Sequence, residues 1–286
     1  MTIANAGGPG KLGLIVGGGD LPATLANLCR ATGRPYVVLR LRGFAEPEMA
    51  EHPGAEVGIA ELTRVFDLLH QSDCKAVCFA GNVRRPDFAK LKPDMRALKF
   101  LPGVLAAALR GDDALLRHLI HEFEHEGFKV EGAQDVAANL LLPVGPLGME
   151  TPTADHRDDI ALAVKMAKAI GQLDVGQAAV AAKGVVLALE AQEGTDAMLQ
   201  RCAKLPIELR GDANRAAGVL AKWPKAIQER RVDLPTIGVA TVEGAAAAGL
   251  AGIVGEAGAT LVMDRPGVIA AADRLGLFIM GMEPEA

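Results

Sequence analysis

The stretch LGLIVGGGDLPATLANLCRATGRPYVVLRLRGF, residues 12–44, indicates how the N-terminal half of the chain folds. LGLIV is an apolar run of strand length, and YVVLRL (36–41) is a second one. Between them, residues 21–33 have the features of a helix, with Pro22 in the first turn and Gly33 just past the end. A strand, a helix and another strand in this order favour two parallel strands joined by a crossover helix.

The three glycines after the first strand resemble a dinucleotide-binding fingerprint, which requires G-x-G-x-x-G and an acidic residue at the end of the second strand. Gly17 and Gly19 fit the first two positions, but Pro22 takes the third, and Arg40 and Arg42 stand where the acid belongs. An arginine could serve NADP, so an NADP-linked oxidoreductase remains an alternative. Glycines before a helix N-terminus also allow an anionic or polar ligand to approach the backbone closely. A tight turn without any ligand is the simpler alternative.

The rest of the chain also alternates between predicted strands and helices, and this pattern is interrupted near residue 150. Before that point we predict helices at 60–72 and 112–127 and strands at 76–81 and 128–132. PVGPLGMETPT, residues 143–153, has three prolines, two glycines and no periodicity, which is typical of a linker. Beyond it we predict helices at 156–172, 244–252 and 266–276, two strands around a Lys-Gly turn within 178–191, and strands at 252–257, 259–264 and 277–282.

We therefore predict an α/β fold of two domains. Residues 1–142 would form an N-terminal domain with a Rossmann-like parallel sheet, residues 143–153 the linker, and residues 154–286 a C-terminal mixed α/β domain.

Composition excludes several functional classes. The formal net charge of −5 gives no basic field for nucleic acid, and no apolar run reaches the roughly 18 residues of a membrane span. The N-terminus has no secretory pattern, so we expect a cytoplasmic protein whose four cysteines are buried, reduced thiols. Ser72 is the only serine and lacks a G-x-S-x-G context, which argues against a serine hydrolase.

HEFEH, residues 121–125, matches the H-E-x-x-H pattern of zinc proteases. At about 100° per residue, one helix face collects Leu115, Leu116, Leu119, Ile120 and Phe123. The opposite face collects His118, His121 and His125. We expect these histidines to face solvent, because a helix that packs on a sheet buries its apolar face.

Polar side chains between apolar elements concentrate in the second half, at 174–180, 191–199, 222–238 and 252–258. The third stretch combines the cations Lys222, Lys225, Arg230 and Arg231 with Glu229 and Asp233. Cations beside a carboxylate suit a phosphate ester with Mg²⁺ or Mn²⁺, although a mixed charge run is also typical of a solvated surface. In the second stretch, Thr195 or Asp196 could simply cap a short helix.

Taken in order along nearly the whole chain, several motifs resemble the LpxI-type UDP-2,3-diacylglucosamine pyrophosphatases of lipid A biosynthesis. They are LIVGGGDLP, CFAGNVRRPDF, RGDDALLR, EGFKVEGAQDV, DVGQAAV, EAQEGTDAML, VDLPTIG and GLAGIVGEAG. The resemblance implies two domains with the active site in the cleft between them, a homodimer, and a dependence on Mg²⁺ with Mn²⁺ as a substitute. It implies hydrolysis of the pyrophosphate to UMP and 2,3-diacylglucosamine 1-phosphate (lipid X). A non-hydrolytic nucleotide-sugar binding protein is a further alternative.

The resemblance also assigns site residues. Asp233 matches the critical aspartate of the family and is expected to be catalytic and to hold the metal. Substrate would be bound by two strand-end loops of the first domain, through Gly18, Gly19, Asp20, Leu21, Ala80, Gly81, Asn82 and Val83. From the second domain, Gln177, Thr195, Asp196, Lys225 and Gln228 would face them.

The sequence departs from the family pattern at two positions and contains one apolar segment that could bind the acyl chains. Ala226 stands where the family commonly has proline, and Glu229 where it has aspartate, so we expect activity at a reduced level. Residues 98–109 are nominated as the apolar crevice for the acyl chains, and a buried helix explains the same pattern. Because the product is an amphiphile, peripheral contact with the inner membrane would need no anchor.

Overall fold

A computed structural model of the chain describes residues 10–84, 93–109, 112–212, 214–225 and 229–284. The chain divides into two compact units, residues 1–138 and 139–286.

The first unit is built on a sheet of five parallel strands in the order β3-β2-β1-β4-β5. The strands are β1 Leu12–Val16, β2 Tyr36–Leu41, β3 Gly54–Val57, β4 Ala76–Ala80 and β5 Lys129–Val130. This order is the one found in Rossmann-type folds, where the chain reverses direction across the sheet between the first and fourth strands. The predicted Rossmann-like parallel sheet is therefore confirmed, and all five residues of β1 are buried, as an apolar run predicts.

Five α-helices accompany these strands in the described part of this unit. They are α1 Asp20–Thr32, α2 Leu62–Gln71, α3 Met95–Ala108, α4 Asp112–His125 and α5 Ala133–Val136. Gly33 ends α1 in the left-handed conformation (φ 71°), as its position after the last apolar residue predicts. On one side of the sheet, four phenylalanines from α2, β4, α4 and the residue before β5 pack together: Phe66, Phe79, Phe123 and Phe128.

All four cysteines are free and buried, which confirms the expectation of buried, reduced thiols. Cys78 lies on β4, between β1 and β5, and burial raises the pKa of its thiol to about 12. A thiol with that pKa stays protonated and unreactive at neutral pH.

The second unit is built on a mixed sheet of six strands in the order β6-β13-β11-β9-β7-β8. The strands are β6 Gly145–Pro146, β7 Ala178–Ala182, β8 Val185–Leu189, β9 Val219–Lys222, β11 Gly252–Glu256 and β13 Phe278–Met282. β9, β11 and β13 are parallel, whereas β7 runs antiparallel to β8 and β9. A separate parallel pair consists of β10 Thr236–Ile237 and β12 Leu261–Val262. The predicted mixed α/β unit is confirmed.

The helices of this unit cover both faces of the sheet. Ala179 and Ala181 of β7 pack with α6, Arg157–Gln172, while Ala178 and Val180 face the other way. That second face is covered by α7 Gly194–Cys202, α8 Val239–Ala247 and α9 Arg265–Leu275. The small side chains of β7 allow helices to approach the sheet closely on either side.

Several boundaries differ from the sequence expectations. The helix predicted at 244–252 is α8, Val239–Ala247, which follows Gly238 as its N-cap. Residues 143–153, predicted as a linker, contain β6, which pairs with β13, and Leu147, which is buried in the core of the second unit. The Lys-Gly turn is confirmed: Lys183 and Gly184 both have positive φ, at 52° and 78°, between β7 and β8. Among the described residues, no helix is long and apolar enough to cross a membrane.

Candidate functional site

In the first unit, two loops meet at the carboxyl ends of the neighbouring strands β1 and β4. We call residues 17–22, GGGDLP, the glycine loop and residues 80–83, AGNV, the AGNV loop. The N–H of Gly18 donates to the carbonyl of Asn82 (3.0 Å), and the N–H of Asn82 donates back to Gly18 (2.8 Å). Gly17 also donates to the carbonyl of Ala80 (2.9 Å). The structure thus brings together all the site residues that the sequence predicts in this unit.

The glycines are required by this close approach. A Cβ at Gly17 would lie 2.4 Å from the carbonyl oxygen of Asn82, and one at Gly81 would lie 2.5 Å from that of Gly18. Gly19 has φ 87° and ψ −179°, a conformation that is essentially confined to glycine. Glycine is therefore explained at these positions by the contact between the two loops, with or without a ligand.

The N-terminus of α1 lies on the solvent-exposed side of these two loops. Gly19 and Asp20 are exposed, as are Gly81 and Asn82. The first N–H groups of a helix have no partner within the helix, and they favour anions. One anion is already present, because the Glu46 carboxylate accepts a hydrogen bond from the N–H of Gly19 (3.3 Å). A phosphate that binds at Gly19 would have to displace this carboxylate.

Arg40 and Arg42, which kept NADP binding as an alternative in the sequence analysis, both contact other groups of the protein. Arg40 donates to the backbone carbonyls of Met49, His52 and Gly54, all at 3.4 Å. Arg42 pairs with Glu56 at 2.7 Å and with Glu61 at 3.0 Å. A 2′-phosphate would have to compete with these contacts, so the geometry gives the NADP alternative no support.

In the second unit, polar residues gather at one edge of the sheet, where β8, β9 and β11 all end. Glu190 directly follows β8, and Lys222 is the last residue of β9. Both are buried, with 6% of their surface exposed. The carboxylate of Glu190 accepts hydrogen bonds from the hydroxyl of Thr195 (2.7 Å) and the N–H of Gln177 (2.9 Å). Sequence reasoning named Gln177 and Thr195 but missed Glu190.

Lys222 is the electrostatic centre of this group. Its Nζ donates to the carbonyl of Thr236 (2.7 Å). Burial lowers the pKa of Lys222, and the negative charges of Glu190, Asp196 and Asp233 oppose that shift. We call these four residues, Glu190, Asp196, Lys222 and Asp233, the carboxylate–lysine cluster. The structure therefore brings four predicted site residues, Gln177, Thr195, Asp196 and Asp233, into one neighbourhood.

Thr195 and Asp196 do not cap a helix. α7 begins at Gly194 with Glu193 in the N-cap position, so both residues lie in the first turn. There the hydroxyl of Thr195 is directed to Glu190, and the side chain of Asp196 is part of the cluster around Lys222. The negative charge of Asp196 near the N-terminus of α7 is also favoured by the helix dipole.

The other cations of residues 222–238 are each paired with a carboxylate. Lys225 contacts Asp174 (2.7 Å), and Arg231 contacts Glu229 (2.9 Å). Arg230 contacts the buried Glu256 (3.0 Å), at the end of β11. The predicted contact residue Gln228, together with Ala226, lies outside the described residues. Glu229, one of the two departures from the family pattern, is thus engaged by its neighbour Arg231.

The carboxylates fit a metal ion that is bound together with a phosphate-containing ligand. The described residues contain no group of three or more histidine, cysteine, aspartate or glutamate side chains placed to hold a metal ion unaided. Asp196 and Asp233 nevertheless offer carboxylate oxygens, and Mg²⁺ is usually held by one or two carboxylates plus the phosphates of a substrate. The donor chemistry therefore fits Mg²⁺ with substrate and does not fit a metal site formed by the protein alone.

Within the part of the chain that the structure describes, the histidines of α4 belong to no group of side chains that could hold a metal ion. His121 and His125 are exposed, as the helix geometry predicts. The expectation that His118 also faces solvent is wrong, because its ring packs against α3: a Cβ at Gly103 would lie 2.7 Å from His118 Nε2. The absence of a side chain at Gly103 makes room for the imidazole ring, a detail that the periodicity of α4 alone does not contain.

The fold and these two groups of residues define the class: a two-unit α/β protein whose polar residues suit a phosphate-containing ligand. The model of the LpxI N-terminal domain matches residues 11–140, and that of the LpxI C-terminal domain matches residues 143–280. The chain belongs to the LpxI family.

Two comparisons with individual proteins accompany that result. The chain is 59% identical over 275 residues to UDP-2,3-diacylglucosamine pyrophosphatase LpxI of Caulobacter vibrioides, which covers 96% of this chain and 98% of the relative. A solved structure, CobK precorrin-6A reductase, is 12% identical with a TM-score of 0.33, over 96% of this chain and 89% of that one. A likeness as low as the second carries no argument about fold or function.

Proposed function

We propose that this protein hydrolyses the pyrophosphate of UDP-2,3-diacylglucosamine to UMP and 2,3-diacylglucosamine 1-phosphate, a step of lipid A biosynthesis. One water molecule is consumed and one P–O–P bridge is broken. The observation that carries the proposal is the 59% identity, over 96% of the chain, to a relative named for this activity. The carboxylate–lysine cluster gives the chain side chains suited to phosphate chemistry.

The glycine loop binds the substrate through its backbone. The N–H groups at the start of α1 stabilise negative charge, and the loop carries no bulky side chain before Leu21 other than Asp20. The Glu46 carboxylate leaves Gly19 when a phosphate takes its place. This contact fixes the position of the anionic part of the nucleotide sugar and contributes to affinity.

Gln177 and Thr195 orient the substrate beside the cluster. The Oε1 atom of Gln177 is buried and has no hydrogen-bond partner within the described structure. A buried acceptor without a partner costs roughly 1–3 kcal/mol, which a donor group of the substrate would recover. Lys225, which follows β9 and contacts Asp174 just past the end of α6, contributes positive charge toward the phosphates.

Asp233 is the catalytic residue in this proposal and holds Mg²⁺, for which Mn²⁺ substitutes. When bound, the ion supplies positive charge to the phosphate oxygens, which favours attack by water. Asp196 lies in the same cluster and adds a second carboxylate of the type that Mg²⁺ prefers. The carboxylates of the protein thus hold the ion, while the loop contacts hold the substrate.

The acyl chains contact α3, within the segment 98–109. Four apolar residues of α3 and its C-terminal end are exposed, at 74%, 47%, 41% and 89% of their surface: Met95, Leu98, Leu105 and Leu109. At about 100° per residue, they occupy one face of the helix. In a water-soluble unit such a face suits an apolar ligand or a lipid surface. We place the enzyme in the cytoplasm, as a homodimer with peripheral contact at the inner membrane.

The contact of the acyl chains is tested by Leu98→Glu combined with Leu105→Glu. We expect a higher KM for the diacylated substrate and an unchanged KM for UDP-glucosamine that lacks acyl chains. Leu275→Glu, an exposed leucine of α9, is the control. Equal effects on both substrates would remove α3 from acyl-chain binding.

The function itself is tested by incubating the protein with UDP-2,3-diacylglucosamine, with and without Mg²⁺. Release of UMP that requires Mg²⁺ and is lost in Asp233→Ala supports the proposal. Binding without products would favour a nucleotide-sugar binding protein. NADPH oxidation with a carbonyl substrate, without UMP release, would favour an oxidoreductase.

A further inference from the structure

We propose that Lys222 is a positioning residue, a buried ammonium group that holds the segment of Asp233 against the carboxylates at the edge of the second sheet. The effect of Lys222 on catalysis rests on the proposed function. Its role in holding the Asp233 segment rests on the structure alone.

The position of Lys222 in the sheet makes it an internal anchor. It pairs with Gly255 of β11 on one side and with Ala178 of β7 on the other. Its Nζ donates to the carbonyl of Thr236, three residues after Asp233. The end of β9 is thereby tied to the short segment that presents Asp233.

The segment of Asp233 is also tied to the end of β11, because Arg230 contacts Glu256 (3.0 Å). The N–H of Asp233 donates to the carbonyl of Glu229 (3.3 Å), which belongs to the same segment. Farther on, β10 begins at Thr236 and, within the described residues, forms a two-stranded sheet with β12. The bond from Lys222 to Thr236 therefore joins two sheets, and it does so next to Asp233.

The charges around Lys222 explain why a lysine stands there. Glu190, Asp196 and Asp233 repel one another, and Glu190 is deeply buried. One ammonium group near three acidic side chains offsets part of their mutual repulsion. Burying an ammonium ion is itself costly, and an apolar residue of similar length would pack in a strand without that cost. The negative charges of the neighbouring carboxylates therefore explain why a lysine stands at this position.

Lys222 differs in this respect from the neighbouring cations. Arg230 is half-exposed and contacts Glu256, and Lys225 contacts Asp174. Among the described residues, Lys222 is the lysine that is buried. Its ammonium group is buried and donates to the carbonyl of Thr236, so we assign its effect on the substrate to the carboxylates and the Asp233 segment.

The test compares Lys222→Met, which removes the charge at similar length, with Lys222→Arg, which keeps it, and with the exposed control Lys204→Met. We expect Lys222→Met to lower kcat at least 10-fold while KM changes less than 3-fold. Lys222→Arg should retain at least three times the kcat of Lys222→Met. Lys204→Met should match the wild type.

Hydrogen exchange of residues 229–238 supplies a readout that does not need activity. We expect faster exchange in this segment for Lys222→Met than for Lys204→Met, with thermal unfolding that remains cooperative. Equal kcat losses in the Met and Arg variants, unchanged exchange in residues 229–238, or a Lys222→Met variant that does not fold would each overturn the positioning role. A wild type that releases no UMP would refute the proposed function, while the exchange rates would still decide whether Lys222 holds the segment.

Discussion

The two units of the protein present polar groups in opposite ways. In the first unit, the candidate site consists of backbone atoms of the glycine loop and the AGNV loop, at the carboxyl ends of β1 and β4. In the second unit, it consists of charged side chains at the edge where β8, β9 and β11 end. Both locations follow the rule that ligands of α/β sheets bind where strands end.

The difference between backbone groups and charged side chains indicates what each site can contribute to the reaction. Backbone N–H groups at a helix N-terminus bind an anion without changing their charge, so they suit binding and orientation. Carboxylates and a lysine in a partly buried cluster stabilise charge that develops during a reaction, so they suit chemistry. In the proposed function, the first unit therefore contributes mainly to binding of the nucleotide sugar and the second to hydrolysis.

The largest expected effect separates these roles at Asp233. Asp233→Ala should lower turnover roughly 100-fold or more, the scale on which groups that stabilise transition-state charge act. Substrate binding and folding should be largely retained, because the loops of the first unit are unchanged. Steady-state UMP release and thermal unfolding measure the two parts. Wild-type turnover in this variant would remove Asp233 from the mechanism.

An intermediate effect is expected at Gly19. Its φ of 87° with ψ −179° is confined to glycine, and a Cβ there would lie 3.6 Å from Asn82 Nδ2, so strain, not collision, is the consequence of Gly19→Ala. The strain should lower stability by about 1–3 kcal/mol. If the loop binds substrate, the KM should also rise several-fold with a smaller change in kcat.

Gly33→Ala is the control for Gly19→Ala, because Gly33 ends the same helix with φ 71° and open space around it. We expect it to lower the Tm and to leave the KM unchanged. Thermal unfolding with and without a UDP-linked substrate analogue compares the two variants. Equal ligand-induced stabilisation in Gly19→Ala and wild type would mean that the glycine loop is only structural.

The smallest effects are expected on α4. His121→Ala and His125→Ala should stay within about 0.5 kcal/mol of the wild type in stability and should keep full activity. His118→Ala should cost more stability, because its ring fills the space beside Gly103. Bound zinc that disappears in the first two variants together with activity would restore the zinc-protease interpretation.

Local sequence signals were sufficient for much of the fold. The apolar runs of β1, β2 and β4 and the glycine after α1 predict their elements almost to the residue. The Lys183–Gly184 turn is equally local, since Gly184 readily adopts its positive φ of 78°. Very short elements were missed: β3 has four residues and β10 has two, so neither shows a period.

The candidate site was only partly accessible from the sequence. Asp233, Thr195 and Gln177 lie in motifs that carry the family resemblance, so they could be named in advance. Glu190 lies in the quoted motif EAQEGTDAML and was overlooked, whereas the role of Lys222 depends on pairing between strands distant in sequence. A lysine within a charge run is typical of a solvated surface, and only the register of β7, β9 and β11 shows that Lys222 is buried.

The most direct test of the division between binding and chemistry is a side-by-side measurement on Asp233→Ala and Gly19→Ala. Substrate affinity and single-turnover UMP release at saturating UDP-2,3-diacylglucosamine are measured for both variants. The account predicts near-normal affinity without hydrolysis for Asp233→Ala, and weakened affinity with near-normal hydrolysis at saturation for Gly19→Ala. The reverse pattern, or equal loss of affinity and hydrolysis in both variants, would contradict it.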